Sequence, residues 1–125
     1  MILAAMLLLQ GAPALDCDKA MTQADMNVCA ATAFLDSDAA LNAQWKKTAA
    51  EMKLRDDSEY ANDGREGYFS TLLAAQRAWI AYRDAHCTSY GYYARGGSME
   101  PMLVAHCKTD LTEARTQALA DLISQ

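Results

Sequence analysis

The chain has 125 residues, 52% of them hydrophobic, with a formal net charge of −5 and a pI near 4.8. That length holds one domain, and the apolar fraction is enough for one core, which excludes a disordered chain. The acidic balance argues against a protein that tracks nucleic-acid phosphates and suits a basic partner.

The first fourteen residues, MILAAMLLLQGAPA, carry no charge, run apolar from Ile2 to Leu9 and close on Ala12-Pro13-Ala14. This pattern predicts a secretory signal cleaved after Ala14, leaving a domain over residues 15–125. The apolar run is too short to span a bilayer. Cys17 follows closely, but Ala14-Leu15-Asp16 before it lacks the small residue that lipid-anchor processing needs. A soluble exported protein, periplasmic or extracellular, is expected, with no stable membrane insertion.

Beyond the leader the pattern is helical throughout. Thr22 followed by Asp25 reads as an N-cap with an acidic first turn, and Met26, Ala30, Ala33, Phe34, Leu41, Trp45, Thr48 and Met52 recur at helical spacing. The first helix is expected over about Gln23 to Leu54, followed by a polar turn region from Arg55 to Gly67. A second helix follows, from about Glu66 to Ser89, and Tyr90-Gly91-Tyr92-Tyr93-Ala94-Arg95-Gly96-Gly97 breaks it. Ser98 is placed to cap a third helix with Pro101 in its first turn, reaching about Ile123. The fold class expected is all-α, a small disulfide-linked three-helix bundle in up-down-up order.

Export gives the four cysteines, Cys17, Cys29, Cys87 and Cys107, the meaning of two disulfides. With antiparallel neighbours, Cys17 and Cys87 fall at one end of the bundle, and Cys29 and Cys107 fall at similar depths in two parallel helices. The favoured pairing is therefore Cys17 with Cys87 and Cys29 with Cys107. The alternative, Cys17 with Cys29 and Cys87 with Cys107, closes shorter loops. The repeated Ala-His-Cys at 85–87 and 105–107 offers zinc-ligand types, but neighbouring helical residues point about 100° apart and the spacing matches no zinc finger. No metal or cofactor is expected, and His86 and His106 read as partly exposed.

The stretch AQRAWIAYRDAHC, residues 75–87, concentrates polar and aromatic chemistry in the second helix. Ala75, Trp79, Tyr82 and His86 form one strip, and Gln76, Ile80, Arg83 and Cys87 the strip beside it, making one broad inward face. Trp79 is the expected core anchor. Gln76 and Arg83 then need buried partners, expected on the first helix near Asp38 or Asn42, while Arg77 and Asp84 lie nearer solvent.

At these residues the sequence resembles the LprI family, the exported domain named after a lysozyme-inhibitor lipoprotein. The resemblance rests on MTQADMNVCA at 21–30, Asp38 with Leu41 and Asn42, AQRAWIAYRDAHC at 75–87, GGS at 96–98 and LTEAR at 111–115. It covers nearly everything after Cys17. It implies a small α-helical, disulfide-linked, exported domain whose namesake binds and inhibits lysozyme. Two departures stand out: the missing lipid-anchor signal, and Trp45 where a tyrosine is common.

An enzyme is not expected. No Gly-x-Ser-x-Gly elbow, phosphate-binding glycine loop or His-Glu-x-x-His helix occurs. The pairs Asp56 with Asp57 and Asp36 with Asp38 read as a solvated turn and a helix surface. Lysozymes are usually basic and hold two working carboxyl groups in an open cleft, so an acidic domain is steered towards them. Arg95, with Tyr92, Tyr93 and Ser98 around it, is the expected partner-binding group, because arginine and tyrosine dominate binding hot spots. The rival expectation is an envelope structural or adaptor module that binds another protein.

Overall fold

A computed structural model describes residues 15–58 and 63–125, so the expected signal segment 1–14 and the turn residues 59–62 lie outside the described residues. Three long helices account for the architecture: α1 (Gln23–Ser58), α2 (Tyr68–Gly91) and α3 (Glu100–Asp121), with short 3-10 turns at Cys17–Lys19 and Tyr92–Ala94. No strand occurs among the described residues. The expected all-α, disulfide-linked three-helix bundle is the observed fold.

Helix α1 begins as its sequence predicts, the Asp25 amide donating to Thr22 Oγ1 at 3.1 Å. It runs past the expected end at Leu54 because its last turn is held from both sides. Arg55 Nε reaches Glu51 Oε1 at 3.4 Å, and Ser58 Oγ donates to the Leu54 carbonyl at 2.8 Å. Asp56 bridges to the next element, its two carboxylate oxygens accepting from the Tyr68 and Phe69 amides at 2.6 and 3.1 Å. A carboxylate is disfavoured at a helix C-terminus and favoured at an N-terminus, so Asp56 gains at α2 what it loses at α1. Gly67 permits this approach, since a Cβ there would lie 2.7 Å from Asp56 Oδ1. The reading of Asp56 and Asp57 as a solvated turn is thus corrected: both belong to α1, and Asp56 caps α2.

Cross-contacts set the directions. Gln23 reaches Met102, Asn27 reaches Ser98, and Thr48 reaches Leu119, so α1 and α3 run parallel. Gly91 abuts Val104, Cys87 bonds Cys107, Arg83 meets Thr112 and Gln76 meets Arg115, so α2 runs opposite to α3. The helix α3 contacts α1 most extensively, and α1 and α2 touch least.

The core is unevenly distributed. Leu41, Met52, Leu72 and Leu119 form its buried cluster, with Trp45, Phe69, Trp79 and Ile123 packed around them. Towards the other end the buried positions are small or polar: Ala30, Ser37, Ala105, Cys87 and Gly91. Both disulfides lie in that second half.

The pairing is Cys17–Cys29 and Cys87–Cys107, with Cα separations of 5.6 and 5.4 Å. The favoured Cys17–Cys87 and Cys29–Cys107 arrangement is overturned. Equal depth on parallel helices was a sound premise, but depth does not set direction around the helix axis. On α1 the buried line passes through Ala30, Ser37, Leu41 and Thr48, and Cys29 is rotated about 100° from Ala30. The segment before α1 folds back on it through the 3-10 turn, bringing Cys17 to Cys29.

Helix α3 also departs from expectation. Its N-cap residue is Met99, without a side-chain cap bond, and the Ser98 carbonyl instead accepts from Asn27 Nδ2 at 2.8 Å. Helix α2 continues through Gly91 rather than stopping at Ser89, and at Gly91 a side chain would collide with Val104 of α3.

Candidate functional site

Two places carry the residues singled out from sequence: the interior network built on α2, and the loop between α2 and α3.

In the network, Arg83 is the hub, at 8% exposure. Its Nη1 lies 3.3 Å from both Asp38 Oδ1 on α1 and Thr112 Oγ1 on α3, and its Nε donates to Asp84 Oδ1 at 3.0 Å. Its guanidinium also sits 5.1 and 5.2 Å from the ring centres of Phe34 and Trp79. One cation therefore links all three helices, with Lys108 adding a second contact to Asp84 at 3.7 Å. The expected link from Arg83 to Asp38 is present, and Asp84, though part-exposed, takes part in it.

Three expectations about this stretch are corrected. Gln76 is buried, but its Oε1 accepts from Arg115 Nε of α3 at 2.9 Å, not from α1. Asn42 is exposed and stands apart from the network. The broad inward face is a narrow strip: Leu72, Gln76, Arg83 and Cys87 are buried and Trp79 is half-buried, while Ala75, Ile80, Tyr82 and His86 face outward. Because α1 packs far more extensively on α3 than on α2, α2 meets its neighbours along a narrow line. Tyr82 and His86 stack on each other outside it, with ring centres 5.3 Å apart.

Sequence reasoning missed the α3 half of the network. Thr112 is fully buried, and Arg115 is half-buried, with burial pushing its pKa below the usual arginine value. Two sequence signals could have found them: the motif LTEAR at 111–115, which contains both, and the seven-, three- and four-residue spacing of Ala105, Thr112, Arg115 and Leu119, which marks one helix face.

The loop is well defined. Gly91 leads into the 3-10 turn Tyr92–Ala94, the Arg95 amide donates to the Tyr92 carbonyl at 3.2 Å, and the Gly97 amide donates to the Ala94 carbonyl at 2.8 Å. Gly96 has φ +78°, a conformation that needs glycine, and its amide faces Glu100 Oε1 at 3.4 Å. Arg95 is exposed with its guanidinium 4.4 Å from the Tyr92 ring centre. Tyr93 is 87% exposed and meets Tyr90 edge-on at 5.8 Å. The loop thus brings Arg95, Tyr92 and Tyr93 together, while Ser98 is turned to its contact with α1.

Cys87 and Cys107 are bonded to each other, so neither supplies a thiolate. No helix among the described residues is long and apolar enough to cross a membrane.

Comparison with known proteins agrees with this architecture. The chain is 44% identical over 117 residues to "Uncharacterized protein R02472" of Rhizobium meliloti (strain 1021), covering 89% of this chain and 81% of that one. No solved structure matches. The sequence model of the family described as "Lysozyme inhibitor LprI" matches residues 16–119, which include α1, α2, the connecting loop, both disulfides and α3 up to Leu119. The chain belongs to the LprI family.

Proposed function

We propose that the protein is an exported, lysozyme-inhibitor-like binding protein, and that the loop from Tyr92 to Ser98 presents Arg95 to the carboxyl groups of a lysozyme cleft. Family membership supports the lysozyme-directed reading. The observation that carries the choice of loop is Arg95 itself: a projecting guanidinium with no ion-pair partner among the described residues, steadied by the Tyr92 ring. A cation held in this way loses little freedom on binding, and the glycine-defined loop is already ordered.

The acidic charge of the chain favours encounter with a basic enzyme, and Arg95 is the local exception that suits the acidic cleft. Tyr93 provides exposed aromatic area beside it. Residues 1–14 are assigned as a secretory signal, and the two disulfides agree with an oxidising destination. The function proposed is blockade of a binding site rather than catalysis.

The test is lysozyme turnover measured with the purified domain added, using lysozymes of different types. Arg95→Ala is expected to weaken inhibition more than tenfold, about 1.4 kcal/mol, with an unchanged melting temperature. Inhibition that survives the substitution at full strength would place the contact on another surface. An absence of inhibition against every type would favour the adaptor reading.

A further inference from the structure

A cleft of about 850 Å³ opens at the end of the bundle away from the Arg95 loop, between the last turns of α1 and α3 and the first turns of α2. Its apolar lining comes from Met52, Leu72 and Leu122, and three arginines, Arg55, Arg65 and Arg115, stand around it. In a chain of net charge −5 this is an unusual gathering of cations. We infer that the cleft binds a small monoanionic carboxylate with an apolar body.

Arg115 is the reason. Its Nε is committed to the neutral Gln76 Oε1 at 2.9 Å, while its Nη2 is closed off from solvent and has no hydrogen-bond partner among the described residues. No carboxylate pairs with it among those residues either, in contrast to Arg65, which is held by Asp63 at 2.6 Å, and Arg55, which is held by Glu51. A half-buried cation without a counter-charge is costly, and an arriving anion removes that cost. Arg55 adds a second donor edge, engaged only loosely at 3.4 and 3.5 Å with Glu51 and the Leu122 carbonyl.

The ligand class follows from these groups. A carboxylate accepts a charge-assisted hydrogen bond from the loosely engaged Arg55, while Arg115, whose Nε is taken by Gln76 and whose Nη2 is closed off, contributes its uncompensated charge. With Asp63 and Glu66 also on the rim, the lining among the described residues carries one net positive charge, which suits a monoanion better than a phosphate dianion. The apolar lining requires a hydrocarbon body, and the volume lies within the usual range for small-ligand sites. A free organic acid and the C-terminal carboxylate of a peptide ending in an apolar residue share this chemistry. The site is separate from the Arg95 loop, so its test does not depend on lysozyme inhibition.

Amide chemical shifts of the disulfide-bonded chain decide the matter during titration with octanoate, with octanol, and with a short peptide ending in leucine. Saturable octanoate shifts are expected at residues 52–56, 68–75 and 115–122, with octanol at least tenfold weaker. Arg115→Met is expected to weaken octanoate at least tenfold and leave octanol unchanged. Ala75 lies exposed on the cleft wall, so Ala75→Trp narrows the cleft without touching the arginines, and it should weaken both ligands while helical circular dichroism stays unchanged. Tighter binding of the peptide would identify a chain terminus as the source, and tighter binding of octanoate a free acid. Equal affinity for octanol and octanoate, shifts confined to another face, or no binding of either acid would overturn the assignment.

Discussion

The two ends of the bundle are stabilised by different means. At the end holding the start of α1, the end of α2 and the start of α3, the buried side chains are small, and both disulfides are found there. At the other end there is no covalent tie, but Met52, Leu72 and Leu119 are buried, with Phe69 and Ile123 against them. Each fully buried Leu or Met contributes roughly 1.5–3 kcal/mol, whereas alanine, serine and glycine offer little area to remove from water. Crosslinks closing loops of 12 and 20 residues contribute about 3 kcal/mol each by restricting the unfolded chain. Covalent constraint thus replaces a large apolar core at the end that carries the Arg95 loop.

If this division is right, reducing both disulfides has the largest effect, about 4–8 kcal/mol before any coupling between them. Hydrogen exchange on the reduced protein should show residues 23–34 and 98–107 losing protection ahead of 41–52 and 112–119. Simultaneous loss across the whole chain would mean that the halves do not differ in this sense. Next comes Leu119→Ala, at a residue with no exposed surface, expected to cost about 2–5 kcal/mol in denaturant unfolding. Ala30→Gly, by contrast, should cost only about 1 kcal/mol, mainly through helix propensity.

Asp56→Ala tests how the open end is joined. Losing the cap on Tyr68 and Phe69 should cost about 1–2 kcal/mol and speed amide exchange in the first turn of α2, leaving the disulfide end unaffected. The smallest effect concerns Asp63, whose carboxyl is held below the usual aspartate range by the Arg65 side chain and then by the Arg65 amide. Because its folded pKa is the lower one, its contribution is present above the unfolded aspartate pKa and fades as pH falls through the folded value. The Asp63 carboxyl carbon resonance should titrate below the ordinary aspartate range, and Arg65→Ala should raise that midpoint.

The site residues illustrate how far sequence reading reaches. Arg83 and Gln76 were legible as polar groups on an inward helix face, because burial of either demands a partner. Asp38 was named for Arg83 together with Asn42, and only the charged one of the two pairs with it. Gln76 was assigned to the wrong helix because Arg115 lies 39 residues away and nothing local ties the two together. Asp56 read as one of two turn carboxylates, and its capping role depends on the chain reversing so that α2 starts beside it. The loop around Arg95 was read from its glycines and tyrosines, and the placement of the guanidinium over Tyr92 needed the observed 3-10 turn.

Sequence alone determined the all-α class, the number of helices and the Thr22 start of α1, because period and capping act within a few residues. It also determined that α1 and α3 run parallel, since two successive reversals leave no other order in an up-down-up bundle. Only the tertiary structure decided the disulfide partners, the width of the α2 face and the separation of a small-residue, crosslinked end from a leucine-filled one. Those features depend on rotation of each helix about its axis and on which pair packs most closely. Both are set by the summed contacts of all three helices, and no single segment encodes them.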